Sequence, residues 1–410
     1  MEYKELQLKE LKKTVRNLYG EPTYLFNADQ FIRNFTDLQN EFRKIYPNTA
    51  IAYSYKTNHI PGIGKLVKEL NGYAEVVSDT EAYIADKVVK CRKDRIIYNG
   101  LLPSRNMHDP MEFGAIVNVE SMEHLNQICE YERSCRGVGI RIGEEDSRFG
   151  FQESELFGVL AKLAAANVKV RGIHCHIGGS RSLETWQKKT ERMVRIAKDV
   201  EIAIKHPLEY IDLGGHLYGR MDPGLKEQFG NIPTFEEYAK TVAPIVRDAY
   251  KDKKTMPKLI LEPGTALVAD TVSILATVQN TKRRNGKIIA TLDVSSYDCG
   301  MVADYKNLTI ENITTPDANV AEPTVVCGYT CMEEDYINRD CKVALRTGDC
   351  VLIKNCGAYS ASMKGNFIMP PIGMFMVNDN FELLQKLRDP GNETDIIRRC
   401  YIGGASCEMF

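Results

Sequence analysis

Short apolar runs alternate along this chain with longer stretches of helical periodicity. Ile51–Tyr55 is a run of apolar, aromatic and small residues that ends at Lys56, Thr57 and Asn58, and it predicts a short buried strand. The same alternation continues on its C-terminal side. Gly72–Val77, Arg95–Asn99, Ile116–Val119, Gly139–Ile142, Val168–His174, Tyr210–Leu213 and Lys258–Leu261 predict further strands. Helical spacing over Ile63–Leu70, Thr80–Cys91, Met122–Glu132, Glu153–Ala165, Ser182–Ile204 and Thr234–Ala249 separates them. About eight strands thus lie between Ile51 and Glu262, most of them followed by a helix. That pattern demands parallel βαβ units and fits a (β/α)8 barrel, with a doubly wound sheet as the competing arrangement.

The two ends of the chain read differently. Met1–Leu18 is charged and amphipathic, and Gly20-Glu21-Pro22 then leads into the apolar run Thr23–Phe26, which predicts a helix, a turn and a strand. Beyond about Ala269, short β-like runs joined by turns (Ser273–Gln279, Lys287–Leu292, Leu308–Ile310, Thr324–Val326, Asp349–Ile353, Met374–Val377) predict a mostly antiparallel β domain. The expected class is α/β plus β. Residues 1–27 are expected to form a lead-in helix and strand that join the C-terminal domain, 28–268 the barrel, and 269–410 a β-barrel domain.

Composition narrows the function classes. With 43% apolar and 26% charged residues and a net charge of −2, the chain offers no general attraction for nucleic acid or a membrane surface. Met1–Glu5 lacks the apolar core of a signal peptide, and no stretch approaches the roughly 18 apolar residues that span a bilayer, so a cytoplasmic protein is expected. Twelve cysteines are scattered. Cys327 and Cys331 have no second pair to complete a zinc site, so no metal is expected and the thiols read as reduced.

Candidate chemistry collects at strand ends, the face on which barrel enzymes build their sites. Lys56 is costly to bury, and desolvation would turn it toward a nucleophilic amine; a lysine snorkelling to solvent is the plainer alternative. His174-Cys175-His176-Ile177-Gly178-Gly179-Ser180 places two histidines on one side of an emerging strand, then opens a helix suited to an anion; metal binding or a core histidine are the alternatives. Asp212-Leu213-Gly214-Gly215-His216 is either an anion cradle or a tight turn. Glu262-Pro263-Gly264-Thr265 offers a carboxylate that could meet a cationic ring nitrogen or merely cap a helix. In the β domain, Cys331 offers a thiol acid and Tyr359 a phenol, each of which could equally be core filler.

Taken in order, these stretches resemble the fold-type III pyridoxal-phosphate decarboxylases, most closely the diaminopimelate decarboxylase-like branch. The matching residues are Tyr55-Lys56-Thr57-Asn58, Asn118-Val119-Glu120-Ser121, Arg148-Phe149-Gly150, His174 through Ser180, Asp212-x-Gly214-Gly215, Glu262-Pro263-Gly264, Cys327 through Cys331 to Asp335, and Gly357-Ala358-Tyr359. The resemblance implies an N-terminal barrel and a C-terminal β-barrel in a head-to-tail homodimer acting on a small-molecule amino-acid substrate. Lys56 would carry pyridoxal 5'-phosphate and His176 would lie against its ring. Ser180, the Gly214-Gly215 backbone, Gly264 and Tyr359 would hold its phosphate end, and Glu262 would pair with the ring nitrogen. Cys331, supplied by the partner subunit, or Lys56 would reprotonate the α-carbon. Thr265, Met332, Glu333 and Asp335 would face the substrate.

The chain departs from that pattern at three places. Thr265 stands where the family has arginine, His216 replaces a third glycine, and Met332 replaces the glutamate that reads diaminopimelate's distal amine. Methionine cannot accept a charge-assisted hydrogen bond, so the expected substrate has a less charged or larger tail, unless Glu333 or Glu334 takes over. A racemase of the same fold class, which would carry arginine at the ring nitrogen, and a non-catalytic cofactor-binding protein are the other two readings.

Overall fold

The computed structural model describes residues 2–19, 22–130, 137–315, 323–397, 401–402 and 405–406. The chain divides into two compact units, one made of Met1–Phe31, Arg220–Gly230 and Val268–Phe410, the other of Ile32–Gly219 and Asn231–Leu267.

The second unit is a closed eight-stranded parallel barrel. Thr49–Ser54, Tyr73–Val76, Ile96–Tyr98, Ile116–Val119, Val138–Arg141, Val170–His174, Tyr210–Asp212 and Lys258–Leu261 follow one another around it. The last strand pairs back onto the first, with Thr49 opposite Leu259 and Ile51 opposite Leu261. Every residue of Thr49–Ser54 is buried, as expected of a strand covered on both faces. Inside, the small Ala50 and Ala52 share a cluster with the bulky Tyr73 and Tyr210. Gly139 makes that cluster possible, because a Cβ there would lie 1.9 Å from the Tyr210 hydroxyl oxygen.

The helices start where side chains satisfy the first-turn amides. Ser182 accepts from the Thr185 amide to open Leu183–Ile204, and Thr234 with Glu237 forms a capping box at the head of Phe235–Tyr250. The run expected as one helix over Thr80–Cys91 is an α-turn at Asp79–Tyr83 that widens into a π-turn at Ile84–Val88. Such widening is local and leaves no mark on hydrophobic periodicity.

The other unit is built on a nine-stranded sheet in which most pairings are antiparallel. The 13-residue strand Val272–Arg284 pairs with Thr23–Asn27, Lys287–Leu292 and Cys350–Ile353. The N-terminal helix Glu2–Tyr19 puts Leu8, Leu11 and Val15 into one cluster with Leu25, Leu275, Leu352 and Phe375. Arg220–Gly230 lies within the span expected for the barrel but groups with this sheet. Its Asp222 caps Pro223–Glu227 and also accepts from Thr309 and Asn355, and Gln228 donates to the Asn307 carbonyl. Among the described residues no helix is long and apolar enough to cross a membrane.

Candidate active site

Lys56 sits on a single 3-10 turn, Tyr55–Thr57, directly after the first barrel strand. Its Nζ lies 2.5 Å from Glu75 Oε2, whose side chain is 1% exposed, while that of Lys56 is 31% exposed. The amine is thus anchored from beneath and open from above. Glu75 is the start of a chain of polar contacts through the barrel's upper layer. Asn99 donates one Nδ2 hydrogen to Glu75 Oε1 at 3.2 Å and the other to Glu262 Oε1 at 2.6 Å. Its carbonyl oxygen accepts from Asn118 at 2.7 Å, and Asn118 in turn accepts from the Tyr210 hydroxyl at 2.6 Å. Both Asn99 donor hydrogens and the oxygens of both buried amides are engaged, which fixes which way each amide points.

Glu262 follows the last barrel strand and is 2% exposed. Its Oε2 lies 3.2 Å from His174 Nε2. Burial alone would raise the Glu262 carboxyl, but His174 and Lys56 outweigh it and hold the group well below the usual carboxylate range. Burial pushes the His174 imidazole down against the pull of the Glu262 charge, and its Nε2–H donates to the Glu262 carboxylate. Asp212 lies beside them and is pushed up by burial and by the Glu262 charge, so it carries the proton of this carboxyl pair. One side-chain N or O atom from each of His174, Asp212 and Glu262 lies within 4.8 Å of the other two. Burial, reinforced by Lys56, pushes the His176 imidazole down to about 3, so this ring is neutral at physiological pH.

These groups line one cavity of about 1470 Å³, with Lys56, Glu75, Asn99, His174, His176 and Glu262 on its walls. Arg141 also lines it, paired with Glu120 at 3.3 Å and with its guanidinium carbon 4.6 Å from the Phe149 ring centre.

The structure brings Lys56, His176 and Glu262 together, and it revises the surroundings expected for them. Ser180 does not open the following helix. Ser182 is its cap, and Ser180 Oγ accepts from the Ser182 amide in an exposed loop. The Gly214 and Gly215 amides, expected to face an anion, donate to Asp212 Oδ1 at 2.9 Å and to His176 Nδ1 at 3.2 Å. They build the framework that aims His176. Gly264 packs against Thr57, whose Oγ1 would lie 2.0 Å from an added Cβ, and Thr265 begins the short helix Thr265–Val268.

In the β-rich unit, Tyr359 and Met332 line a separate cleft of about 540 Å³ with Tyr297, Met363 and Phe367. Cys331, Glu333 and Glu334 are exposed. Asp335, expected at the substrate, is buried and saturated by its own unit. Oδ1 accepts from the Ser296 amide and hydroxyl at 2.7 and 2.8 Å, and Oδ2 from the Thr330 amide and hydroxyl at 3.0 and 2.7 Å. Its work is to shape the loop that carries Cys331 and Met332.

Sequence reasoning assigned no role to Glu75, Asn99, Asn118 or Arg141. A usable signal exists for the first two. Glu75 interrupts the apolar Tyr-Ala-x-Val of its strand, and Asn99 directly follows the strand Ile-Ile-Tyr, the same strand-end position as Glu262.

A strand-end lysine tied to one buried carboxylate, with a second ionised carboxylate across the cavity, marks a barrel enzyme that works through an amine and a bound electron-poor group. The site fits pyridoxal phosphate: an accessible amine, a neutral imidazole wall and a fixed anion for a ring nitrogen share one cavity. The family model for the pyridoxal-dependent decarboxylase pyridoxal-binding domain matches residues 29–269, and the chain belongs to that family. The diaminopimelate decarboxylase of Methanocaldococcus jannaschii is 28% identical over 383 residues, covering 85% of this chain and 84% of that protein. The diaminopimelate decarboxylase of Aquifex aeolicus is 24% identical over 409 residues, covering 93% and 91%. The crystal structure of the M. jannaschii enzyme with L-lysine superposes with a TM-score of 0.82 at 25% identity, covering 95% of this chain and 94% of that one.

Proposed function

We propose that this chain removes the α-carboxylate of an amino acid whose distal end is less charged or larger than that of diaminopimelate. The observation that supports decarboxylation is the ionised Glu262, held by Asn99 and His174 in the cavity that also receives Lys56. Pyridoxal phosphate, when bound, supplies an electron sink for the pair left at the α-carbon by carbon dioxide loss.

In this reading the protein's own groups have separate tasks. Glu75 orients the Lys56 amine, which would hold the cofactor through its aldehyde. Glu262 would pair with the cofactor's protonated ring nitrogen, and Asn99, His174 and Asp212 keep Glu262 fixed and charged. A carboxylate at this position argues against the racemase reading. His176, neutral and oriented by the Gly215 amide, forms a flat wall without competing for that proton. Cys331, from the second subunit of a head-to-tail homodimer, delivers the proton to the α-carbon. The exposed Met332 and the uncharged Thr265 carry the substrate inference, since neither can pair with a distal ammonium or carboxylate.

The test is carbon dioxide release by the cofactor-loaded protein over L- and D-amino acids, including diaminopimelate, lysine, ornithine, glutamate and acylated derivatives. Release from a substrate with an uncharged or enlarged tail is expected. Efficient release from diaminopimelate would overturn the substrate assignment, and α-proton exchange without release would overturn decarboxylation.

A further inference from the structure

His216 stands where the resemblance has a glycine, yet its backbone keeps a glycine's conformation, with φ at +74°. A histidine held there is strained, and such strain persists only where the surroundings over-determine it. Three contacts do so. Its Nε2 lies 2.9 Å from the Gly179 carbonyl oxygen, and its own carbonyl accepts from Trp186 Nε1 at 3.4 Å. Lys189, 3% exposed, donates to the Leu213 carbonyl at 2.8 Å while its ammonium sits 3.2 Å from the Trp186 ring centre. Helix Leu183–Ile204 therefore clasps the Leu213–His216 turn, and the turn's imidazole reaches across to a second loop.

That second loop has little else to hold it. Gly178, Gly179 and Ser180 are exposed, and a Cβ added to either glycine would find no atom within 4 Å. Both glycines line the cavity that holds Lys56 and Glu262. Burial, with Arg181 nearby, lowers the His216 imidazole, so Nε2–H donates to Gly179 as a neutral group at physiological pH.

We propose that His216 is a positioning residue that pre-organises the Gly178–Ser180 loop for the phosphate of pyridoxal phosphate, through its bond to the Gly179 carbonyl and at the expense of backbone strain. This rests on the functional reading above and goes beyond it. A loop already fixed in its binding geometry loses less entropy when an anion arrives, so the gain falls on the phosphate and leaves the aldehyde and ring contacts unchanged.

The experiment compares the apo-protein with its His216→Gly and His216→Asn variants, measuring affinity for pyridoxal phosphate and for pyridoxal by equilibrium dialysis, beside thermal unfolding. His216→Gly is expected to unfold at or above the parent temperature, because glycine takes a positive φ freely. It is expected to bind pyridoxal phosphate on the order of tenfold more weakly, with pyridoxal changed by less than about twofold. His216→Asn, which tolerates the backbone but is too short to reach Gly179, should match it. Equal losses for both ligands, or undiminished binding of pyridoxal phosphate, would overturn the proposal. If the parent protein binds neither ligand, the functional reading itself fails.

Discussion

The barrel rim and the β-rich unit each hold a lysine beside a carboxylate, and the two pairs are built for different ends. Lys56 is 31% exposed at the mouth of a large cavity and lies 2.5 Å from Glu75. Lys364 is 1% exposed, stands 3.9 Å from Asp298, and donates to the Tyr329 hydroxyl at 3.1 Å. The first pair holds an amine ready while leaving a path to it; the second encloses its charge and serves packing. The same contrast extends to the neighbours. Around Lys56 the walls are amides, carboxylates and imidazoles bonded to one another, whereas the β unit's cleft presents Met332, Met363, Tyr297 and Phe367, four side chains at least 43% exposed. A lysine–carboxylate pair is therefore informative only with its access and its connections. Here the barrel's pair opens onto a polar cavity, and the β unit's cleft presents flexible apolar side chains.

Substitutions can break this division of labour, beginning with the largest expected effect. Lys56→Ala should remove covalent attachment of the cofactor and lower turnover by about four orders of magnitude or more. The check is the visible absorbance of the protein after gel filtration, and a band that survives would refute the assignment. Glu262→Gln deletes the charge and leaves one accepting oxygen where the carboxylate received both Asn99 and His174, so it should retain cofactor and lower kcat by about a hundred- to a thousandfold. Cofactor loss instead would make Glu262 a binding group.

On the β side, Cys331→Ala should leave cofactor content unchanged and slow turnover by about ten- to a hundredfold. Unchanged kinetics would remove it from the mechanism. Met332→Glu should raise kcat/KM for diaminopimelate by about tenfold relative to the best natural substrate, and a flat ratio would locate specificity elsewhere.

The smallest effect is one of stability. His124 is 2% exposed, and burial pushes its imidazole down to about 4. Its folded value lies below the ordinary 6.5, so the unfolded chain binds the extra proton first. The associated stability is complete above about pH 6.5 and is lost as pH falls toward about 4. Urea unfolding at pH 7 and pH 5 should show His124→Leu losing less stability than the parent on acidification, by on the order of 1–2 kcal/mol. Parallel losses would show that His124 is already charged in the fold.

Much of this architecture could be read from the chain itself. Period-two and period-3.6 patterns set the order of strands and helices, and with a strand-end rule they singled out Lys56, His176 and Glu262. Those are local properties, written in a few consecutive residues. Tertiary structure decided what was not local. Asn99 and Glu262 are 163 positions apart, and only barrel closure puts one amide between two carboxylates. The Gly214 and Gly215 amides looked free for an anion, and Asp335 looked free for a substrate, until the fold supplied nearer partners for each. Hydrogen-bond groups are satisfied by whatever the closed chain brings within about 3 Å, and that distance has no counterpart along the sequence.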